Sequence, residues 1–131
     1  AKAVAWLATR QQALIEQFWP GPFSALLQAR PGLHALLCVD GKVALRVSPN
    51  AMAAYLCRAL GPITTTSANF AGCPPAMTAP EVQGLGLEID AILDGGSTPG
   101  GAPSTLADLT VTPIRCLRAG AIPWSDITER E

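Results

Sequence analysis

The sequence predicts an α/β fold in which an open, twisted, mixed β-sheet is flanked by helices. Helical and strand patterns alternate along the chain, and several strand patterns are neighbours that can pair antiparallel. Hydrophobic residues make up 49% of the chain and charged residues 15%, which is a globular composition. The length of 131 residues suits one domain with a real core, so we expect a single domain over residues 1–131.

The first half of the chain predicts a helix, three strands and a second helix. Apolar residues at helical spacing predict an amphipathic helix over residues 2–18, which the turn "WPGP" ends. The segments "FSALLQA", "HALLCV" and "KVALRV" predict strands separated by the turns "RPGL" and "DG". The segment "SPNAMAAYLCRAL" predicts a helix with Ser48 as its N-cap and Pro49 in its first turn.

The second half predicts more strands than helices. The β-branched segment "GPITTTS" predicts a short strand, and "TAPEVQGL" predicts a short helix capped by Thr78. Three further strands are predicted for "EIDAILDGG", "STLADLT" and "IRCLRAG". The segment "PWSDITERE" predicts a polar tail.

Composition and charge exclude several functional classes. The net charge is −1 and no basic run exists, so bulk charge gives no support for binding nucleic acid. No C-x-x-C pair occurs and the chain has a single histidine, so no metal site is predicted. No apolar run has the length of a membrane span. We expect the four cysteines to be reduced and the protein to be cytoplasmic.

Three clusters of glycine, serine and proline lie between predicted elements: "WPGP", "TSANFAGCPP" and "DGGSTPGGAPST". Such loops at one sheet edge form a cleft where backbone N–H groups can face an anion. Ser67 and Asn69 are two residues apart, so on extended backbone both side chains reach one ligand. Turns in which these side chains bond their own backbone explain the same spacing, and this alternative stays open.

Arg46 and Arg118 lie inside predicted strands. Each either faces solvent, because burying an unpaired charge is costly, or forms a fork for a carboxylate or phosphate. His34 has no carboxylate neighbour in the sequence, and no catalytic residue is assigned.

Six segments occur in the order and spacing of one family: "FWPGPFSALL", "VALRVSPN", "ITTTSANFAGCPPAMTAPEV", "IDAILDGG", "GAPSTLADLT" and "CLRAGAI". Over about residues 16–122 the chain resembles the YrdC/Sua5 family of L-threonylcarbamoyladenylate synthases. The combination of S-A-N, a following G-x-P, P-S-T and L-R-x-G carries the specificity of this resemblance.

The resemblance implies the YrdC-like fold and a nucleotidyltransferase activity. Members of the family join L-threonine, bicarbonate and ATP into threonylcarbamoyl-AMP and pyrophosphate. The product feeds the N6-threonylcarbamoyl modification of adenosine 37 in tRNA. ATP is then a substrate, Mg²⁺ is expected with it, and tRNA or tRNA-modification proteins are the expected macromolecular partners.

The matched motifs also imply ligand contacts for seven residues. ATP contacts fall on Lys42, Asn69, Met77 and Arg118, and threonine contacts fall on Arg46, Ser67 and Ser104. Lys42 and Met77 sit where the family touches ATP, in part through backbone. The chemistry depends on positioning and charge neutralisation, so it requires no histidine or cysteine nucleophile.

The chain also departs from the family pattern. "RAG" stands where R-P-G is usual, and "PFSALL" replaces the commoner P-L-T. The family's N-terminal strand P-T-D-T-x-Y-G-L and its K-x-R motif are not among these residues. We therefore expect the chain to be the C-terminal portion of a YrdC-like domain, with little synthesis of threonylcarbamoyl-AMP by these residues alone.

Two other functions remain as alternatives at this point. One is the related domain of carbamoyltransferases, which forms a carbamoyl adenylate instead. The other is a non-catalytic module that binds double-stranded RNA, against which the low basic content argues.

Overall fold

A computed structural model describes residues 1–130 and contains a four-stranded mixed sheet. The strands are β1 (Phe23–Gln28), β2 (Lys42–Leu45), β3 (Thr105–Asp108) and β4 (Arg115–Arg118), in the spatial order β2-β1-β3-β4. β1 pairs antiparallel with β2 and parallel with β3, and β3 pairs antiparallel with β4. The predicted mixed sheet is confirmed.

Residues 1–130 also contain four short α-helices. They are α1 (Thr9–Glu16), α2 (Ala51–Leu60), α3 (Ala79–Gly84) and α4 (Trp124–Thr128). Thr78 caps α3 as predicted, because its hydroxyl accepts the Glu81 N–H at 3.4 Å. Asn50, and not Ser48, caps α2: its carboxamide oxygen accepts the N–H groups of both Met52 and Ala53 at 3.0 Å.

One face of the sheet forms the core. Alternate residues of β1 and β3 are fully buried there, and α1 and α4 contribute apolar side chains to the same cluster. The core contains Ala5, Leu14, Ile15, Phe23, Ala25, Leu27, Val43, Ala107, Leu109 and Ile127. Thr105 is fully buried among them, and its hydroxyl bonds the Ile122 carbonyl at 2.7 Å and the Ile122 N–H at 3.0 Å. These two bonds satisfy the polar group that burial would otherwise penalise.

The chain separates into two compact units. The first combines Ala1–Ile63 with the residues from Ala102 onward and holds the sheet, α1, α2 and α4. The second is Thr64–Gly101 and holds α3 with the loops on either side of it. Among residues 1–130, no helix has both the length and the apolar character that crossing a bilayer requires.

Three strand predictions are wrong for residues 1–130. Residues 34–39 contain a 3₁₀ turn, Ala35–Leu37, because the His34 ring nitrogen accepts the Leu36 N–H at 3.2 Å and β2 pairs with β1 instead. The segments "GPITTTS", residues 61–67, and "EIDAILDGG", residues 88–96, form no strand in this part of the chain. β-Branched residues favour extended backbone, but a strand also needs a neighbouring chain with which to exchange hydrogen bonds.

Both ends of the chain also differ from prediction. The first helix begins only at Thr9, since residues 2–4 form a turn and Ala5 makes an antiparallel bridge to Ala29. Beside this bridge, the Trp6 N–H donates to the carbonyl of Gln28, the last residue of β1, at 2.8 Å. The predicted polar tail contains α4, whose Ile127 is fully buried. Burial of this side chain in the core stabilises the helix, although the polar composition of the segment did not indicate one.

Candidate functional site

The sheet face opposite the core carries polar side chains, and we call it the polar face: Ser24, Lys42, Ser104, Asp108 and Arg118. Strand alternation produces it, because the buried residues of β1 and β3 are neighbours of these positions in sequence. The register pairs Ser24 with Leu106 and Leu106 with Arg118, so β1, β3 and β4 present adjacent positions on one side. Direct hydrogen bonds join Ser24, Ser104 and Arg118 in one group, and Lys42 and Asp108 in another.

Three hydrogen bonds join Arg118 to Ser104 on the polar face. Arg118 donates from Nε and Nη2 to the Ser104 carbonyl at 3.1 and 2.9 Å, and from Nη2 to the Ser104 hydroxyl at 2.9 Å. The Ser104 hydroxyl also lies 2.8 Å from the hydroxyl of Ser24. Within residues 1–130 the two N–H groups of Nη1 have no acceptor. Arg118 is therefore anchored on one side and keeps two donors for an anion.

Close packing against backbone explains why glycine, Gly120, occupies the last position of the L-R-x-G motif. A Cβ atom at Gly120 would overlap the backbone of Pro103, Ser104 and Thr105. The same close approach lets the Ala121 N–H reach the Pro103 carbonyl at 2.8 Å. Glycine thus allows the chain after β4 to pack against the start of β3, where Ser104 lies.

Lys42 and Asp108 form an ion pair that bridges β2 and β3 across β1. Lys42 Nζ lies 2.9 Å from Asp108 Oδ2, and Thr110 donates its N–H and hydroxyl to Asp108 Oδ1 at 2.8 and 2.6 Å. Burial raises the pKa of the Asp108 carboxyl, but the hydrogen bonds from Thr110 and Lys42 and the charge of Lys42 outweigh it and hold the pKa below its ordinary value. The Lys42 ammonium is thus engaged within the protein.

Arg46 follows the last residue of β2 and is exposed. Among residues 1–130 its guanidinium makes no hydrogen bond or ion pair. Alternation from Lys42 and Ala44 puts this position on the side of the polar face, at the end of β2. Its five donors are therefore free for a carboxylate, although a solvated arginine has the same geometry.

Ser67 and Asn69 lie in the second unit, in an irregular loop. Ser67 is exposed, whereas the Asn69 amide donates to the carbonyls of Phe70 and Cys73, both at 3.0 Å. Its Oδ1 atom is buried and has no partner among the described residues. An unpaired buried acceptor costs about 1–3 kcal/mol.

Met77, also in the second unit, has both backbone groups occupied. Its N–H donates to the Glu81 carboxylate at 2.7 Å, and its carbonyl accepts the Thr98 N–H at 2.8 Å. A backbone contact from Met77 to a nucleotide would have to displace Glu81 or share the carbonyl.

A cavity of about 440 Å³ lies in the second unit between α3 and the segment that follows it. None of the seven predicted ligand residues lines it; it is bordered by Val82, Gln83, Leu87, Ile89, Asp90, Ala91 and Ile92. The lining of this cavity is polar only at Gln83 and Asp90, whereas the polar face carries two hydroxyls and three charged side chains. Among residues 1–130, no cluster of three or more histidine, cysteine or acidic side chains suits a metal ion.

The first unit brings together four of the seven predicted residues. Lys42, Ser104 and Arg118 lie on the polar face, and Arg46 lies at its β2 end. The other three, Ser67, Asn69 and Met77, belong to the second unit, and their meeting with the first four in one cleft stays a prediction.

Sequence reasoning missed two residues of the polar face, Ser24 and Asp108. Strand alternation gave a signal for both, since each is a polar residue next to a buried one in "FSALLQ" or "TLAD". The Asp-x-Thr spacing after β3 was a further signal, because an aspartate often bonds the backbone two residues later.

Comparison with known proteins matches this chain to one family. The family model for Sua5, YciO and YrdC, described as telomere recombination, matches residues 1–120. A threonylcarbamoyl-AMP synthase of Chromohalobacter salexigens is 39% identical over 112 residues, which are 79% of this chain and 59% of that protein. The threonylcarbamoyl-AMP synthase of Vibrio parahaemolyticus is 36% identical over 119 residues, which are 87% of this chain and 62% of that protein.

Solved structures give the same result. The P. abyssi Sua5 structure in complex with L-threonine superposes with a TM-score of 0.86 at 31% identity. The match covers 97% of this chain and 38% of that one. The chain thus spans little more than half the length of the curated relatives it matches, and less of the P. abyssi protein.

Proposed function

Because this chain belongs to the Sua5/YciO/YrdC family, we propose that it is part of an enzyme that forms threonylcarbamoyl-AMP. L-Threonine, bicarbonate and ATP are the substrates, and pyrophosphate is the second product. The threonylcarbamoyl group is destined for N6 of adenosine 37 in tRNA, so tRNA or tRNA-modification proteins are the partners. The reaction is proposed for the cytoplasm, in keeping with four free cysteines.

The observation that carries this proposal is the polar face. A guanidinium and a hydroxyl that the family motifs assign to ligands, Arg118 and Ser104, lie on the sheet face opposite the core, and the exposed Arg46 lies at the β2 end of that face. An ordinary half-exposed sheet needs no such arrangement. A site for two anionic substrates does, because both the amino-acid carboxylate and the triphosphate must be neutralised.

The proposed reaction needs charge control more than a nucleophile from the protein. The threonine amine adds to bicarbonate to give a carbamate and water; a carbamate oxygen then attacks the α-phosphorus of ATP, and pyrophosphate leaves. Arg46 would pair with the threonine carboxylate through its free guanidinium, and Arg118 would use its two Nη1 donors for the nucleotide. Ser104, held by Arg118, would contact the threonine. Holding the reactants in line then supplies much of the acceleration.

Mg²⁺ is proposed only as the companion of ATP. Asp108 is the acidic side chain of the polar face, and both of its oxygens are engaged by Lys42 and Thr110. It therefore does not fit the role of a resident metal ligand, and no step is assigned to a metal held by these residues.

Pyrophosphate release by the full-length protein tests the proposal. With ATP and bicarbonate present, release should depend on added L-threonine, and threonylcarbamoyl-AMP should be detectable by mass spectrometry. Carbamoyl phosphate in place of threonine and bicarbonate tests the carbamoyl-adenylate alternative. Release that follows carbamoyl phosphate and ignores threonine would overturn the proposal.

The two alternatives have less support. The curated relatives compared above are threonylcarbamoyl-AMP synthases. An RNA-binding module would need a basic surface for phosphate neutralisation, and one of the basic side chains of the polar face, Lys42, is already paired with Asp108.

A further inference from the structure

Ser24 is a polar-face residue for which the family motifs give no role. It lies on β1, it is half-buried, and its hydroxyl contacts the Ser104 hydroxyl at 2.8 Å. Among residues 1–130 it makes no other side-chain hydrogen bond. Ser24 is thus paired with a predicted ligand residue and has hydrogen-bonding capacity that the described residues do not use.

The two hydroxyls together have more capacity than the protein uses. Each hydroxyl has one donor and two acceptor positions. Their mutual bond uses one donor and one acceptor, and Arg118 uses a second acceptor on Ser104. One proton and two lone pairs therefore remain, and the proton is on Ser24 or on Ser104, depending on which of them donates in the mutual bond. Such a pair can donate to a ligand and accept from it at once.

A ligand hydroxyl is the group that matches this capacity, because it too donates once and accepts. We propose that Ser24 is a specificity-determining residue, and that the Ser24–Ser104 pair binds the side-chain hydroxyl of the amino-acid substrate. This inference rests on the proposed function, since it takes L-threonine as that substrate. It assigns to Ser24 a role distinct from that of Arg46, which binds the carboxylate.

A substrate that differs from L-threonine only in its hydroxyl provides the test. L-2-Aminobutyrate has the same carbon skeleton without that hydroxyl. In the full-length enzyme, Ser24→Ala should lower kcat/KM for L-threonine about three- to tenfold, the range for loss of one neutral hydrogen bond. The kcat/KM for L-2-aminobutyrate should stay within twofold, so the selectivity ratio falls by the same factor.

Matched variants separate this role from a structural one. Ser24→Thr keeps the hydroxyl and should retain the selectivity ratio. Ser125→Ala removes a hydroxyl on α4 that bonds only its neighbour Asp126 and should change neither substrate. Should Ser24→Ala prove unstable, Ser24→Cys keeps the size of the side chain, weakens its donor and should show the same fall in the ratio.

The outcomes distinguish the two proposals. If the wild-type enzyme turns over L-threonine and Ser24→Ala lowers the rates for both substrates equally, or for neither, Ser24 does not select the hydroxyl and only this inference is wrong. If the wild-type enzyme shows no threonine-dependent turnover, the proposed function is wrong and this inference falls with it.

Discussion

The ion pair between Lys42 and Asp108 should contribute measurably to the free energy of unfolding, although surface ion pairs seldom do. Only 9% of the Asp108 side chain and 26% of the Lys42 side chain are exposed, with 2.9 Å between the charged atoms. Exposed pairs contribute about 0.2–1 kcal/mol, and a hydrogen bond to a charged group about 1.5–3 kcal/mol. For this partly buried pair we expect a coupling energy of about 1–2 kcal/mol.

A double-mutant cycle with Asp108→Asn and Lys42→Met measures that coupling by urea unfolding of the full-length protein. Asp108→Asn alone should cost about 2 kcal/mol, because an amide cannot replace the carboxylate toward both Lys42 and Thr110. A coupling energy within about 0.3 kcal/mol of zero would refute the reasoning, since it would mean that the two side chains contribute independently.

The same pair predicts the direction of the pH dependence. The folded-state pKa of Asp108 lies below the ordinary value of 3.8, so the unfolded chain takes up the proton more readily. The stabilisation is therefore fully present above that value and is lost as the pH falls below it. Asp108→Asn should flatten this acid limb of the stability curve, whereas an unchanged acid limb would show that other carboxyls account for it.

Three further predictions concern the glycine of the L-R-x-G motif and two ligand residues, and each has a defined readout. Gly120→Ala should lower the free energy of unfolding, measured with urea, by about 1–3 kcal/mol, because the added Cβ would overlap backbone atoms. Gly84→Ala is the control and should not lower it in this way, because the space at its Cβ is open. Arg46→Ala should weaken the binding of L-threonine about ten- to a hundredfold in isothermal titration, and Arg46→Lys should restore little of it. Arg58→Ala, in the last turn of α2, is the control and should leave this affinity unchanged. Unchanged affinity for Arg46→Ala would make Arg46 a solvated residue. Asn69→Ala should weaken the binding of ATP about tenfold and leave the binding of threonine unchanged. The reverse pattern would assign the Asn69 amide to threonine instead of ATP.

The sequence predicted those parts of the fold that depend on local patterns. Alternate residues of β1 and β3 are apolar or small and belong to the buried side of the sheet, and Thr78 precedes α3 as a cap, so these elements were predicted. The segment at residues 61–67 was wrong because β-branching describes a preference of the backbone, whereas a strand depends on a partner distant in sequence.

The site divides in the same way. Ser104 and Arg118 were identified through motifs. Their contact could not be predicted in the same way, because the two residues are 14 positions apart and only the folded chain brings them together. Ser24 and Ser104 are 80 positions apart and meet through the parallel pairing of β1 and β3. Strand alternation can place Ser24 on the polar face, but its contact with Ser104 depends on the pairing of strands distant in sequence, so Ser24 received no role from the sequence.

The position of β3 inside the sheet bears on how the site moves. β3 is hydrogen-bonded along both edges, to β1 and to β4, and it carries Asp108 while Ser104 immediately precedes it. Opening it would break two ladders at once, whereas an edge strand such as β2 needs only one to give way. Ser104 and Asp108 thus belong to the part of the sheet that should resist local opening most, whereas Arg46 follows an edge strand that is held by one ladder only.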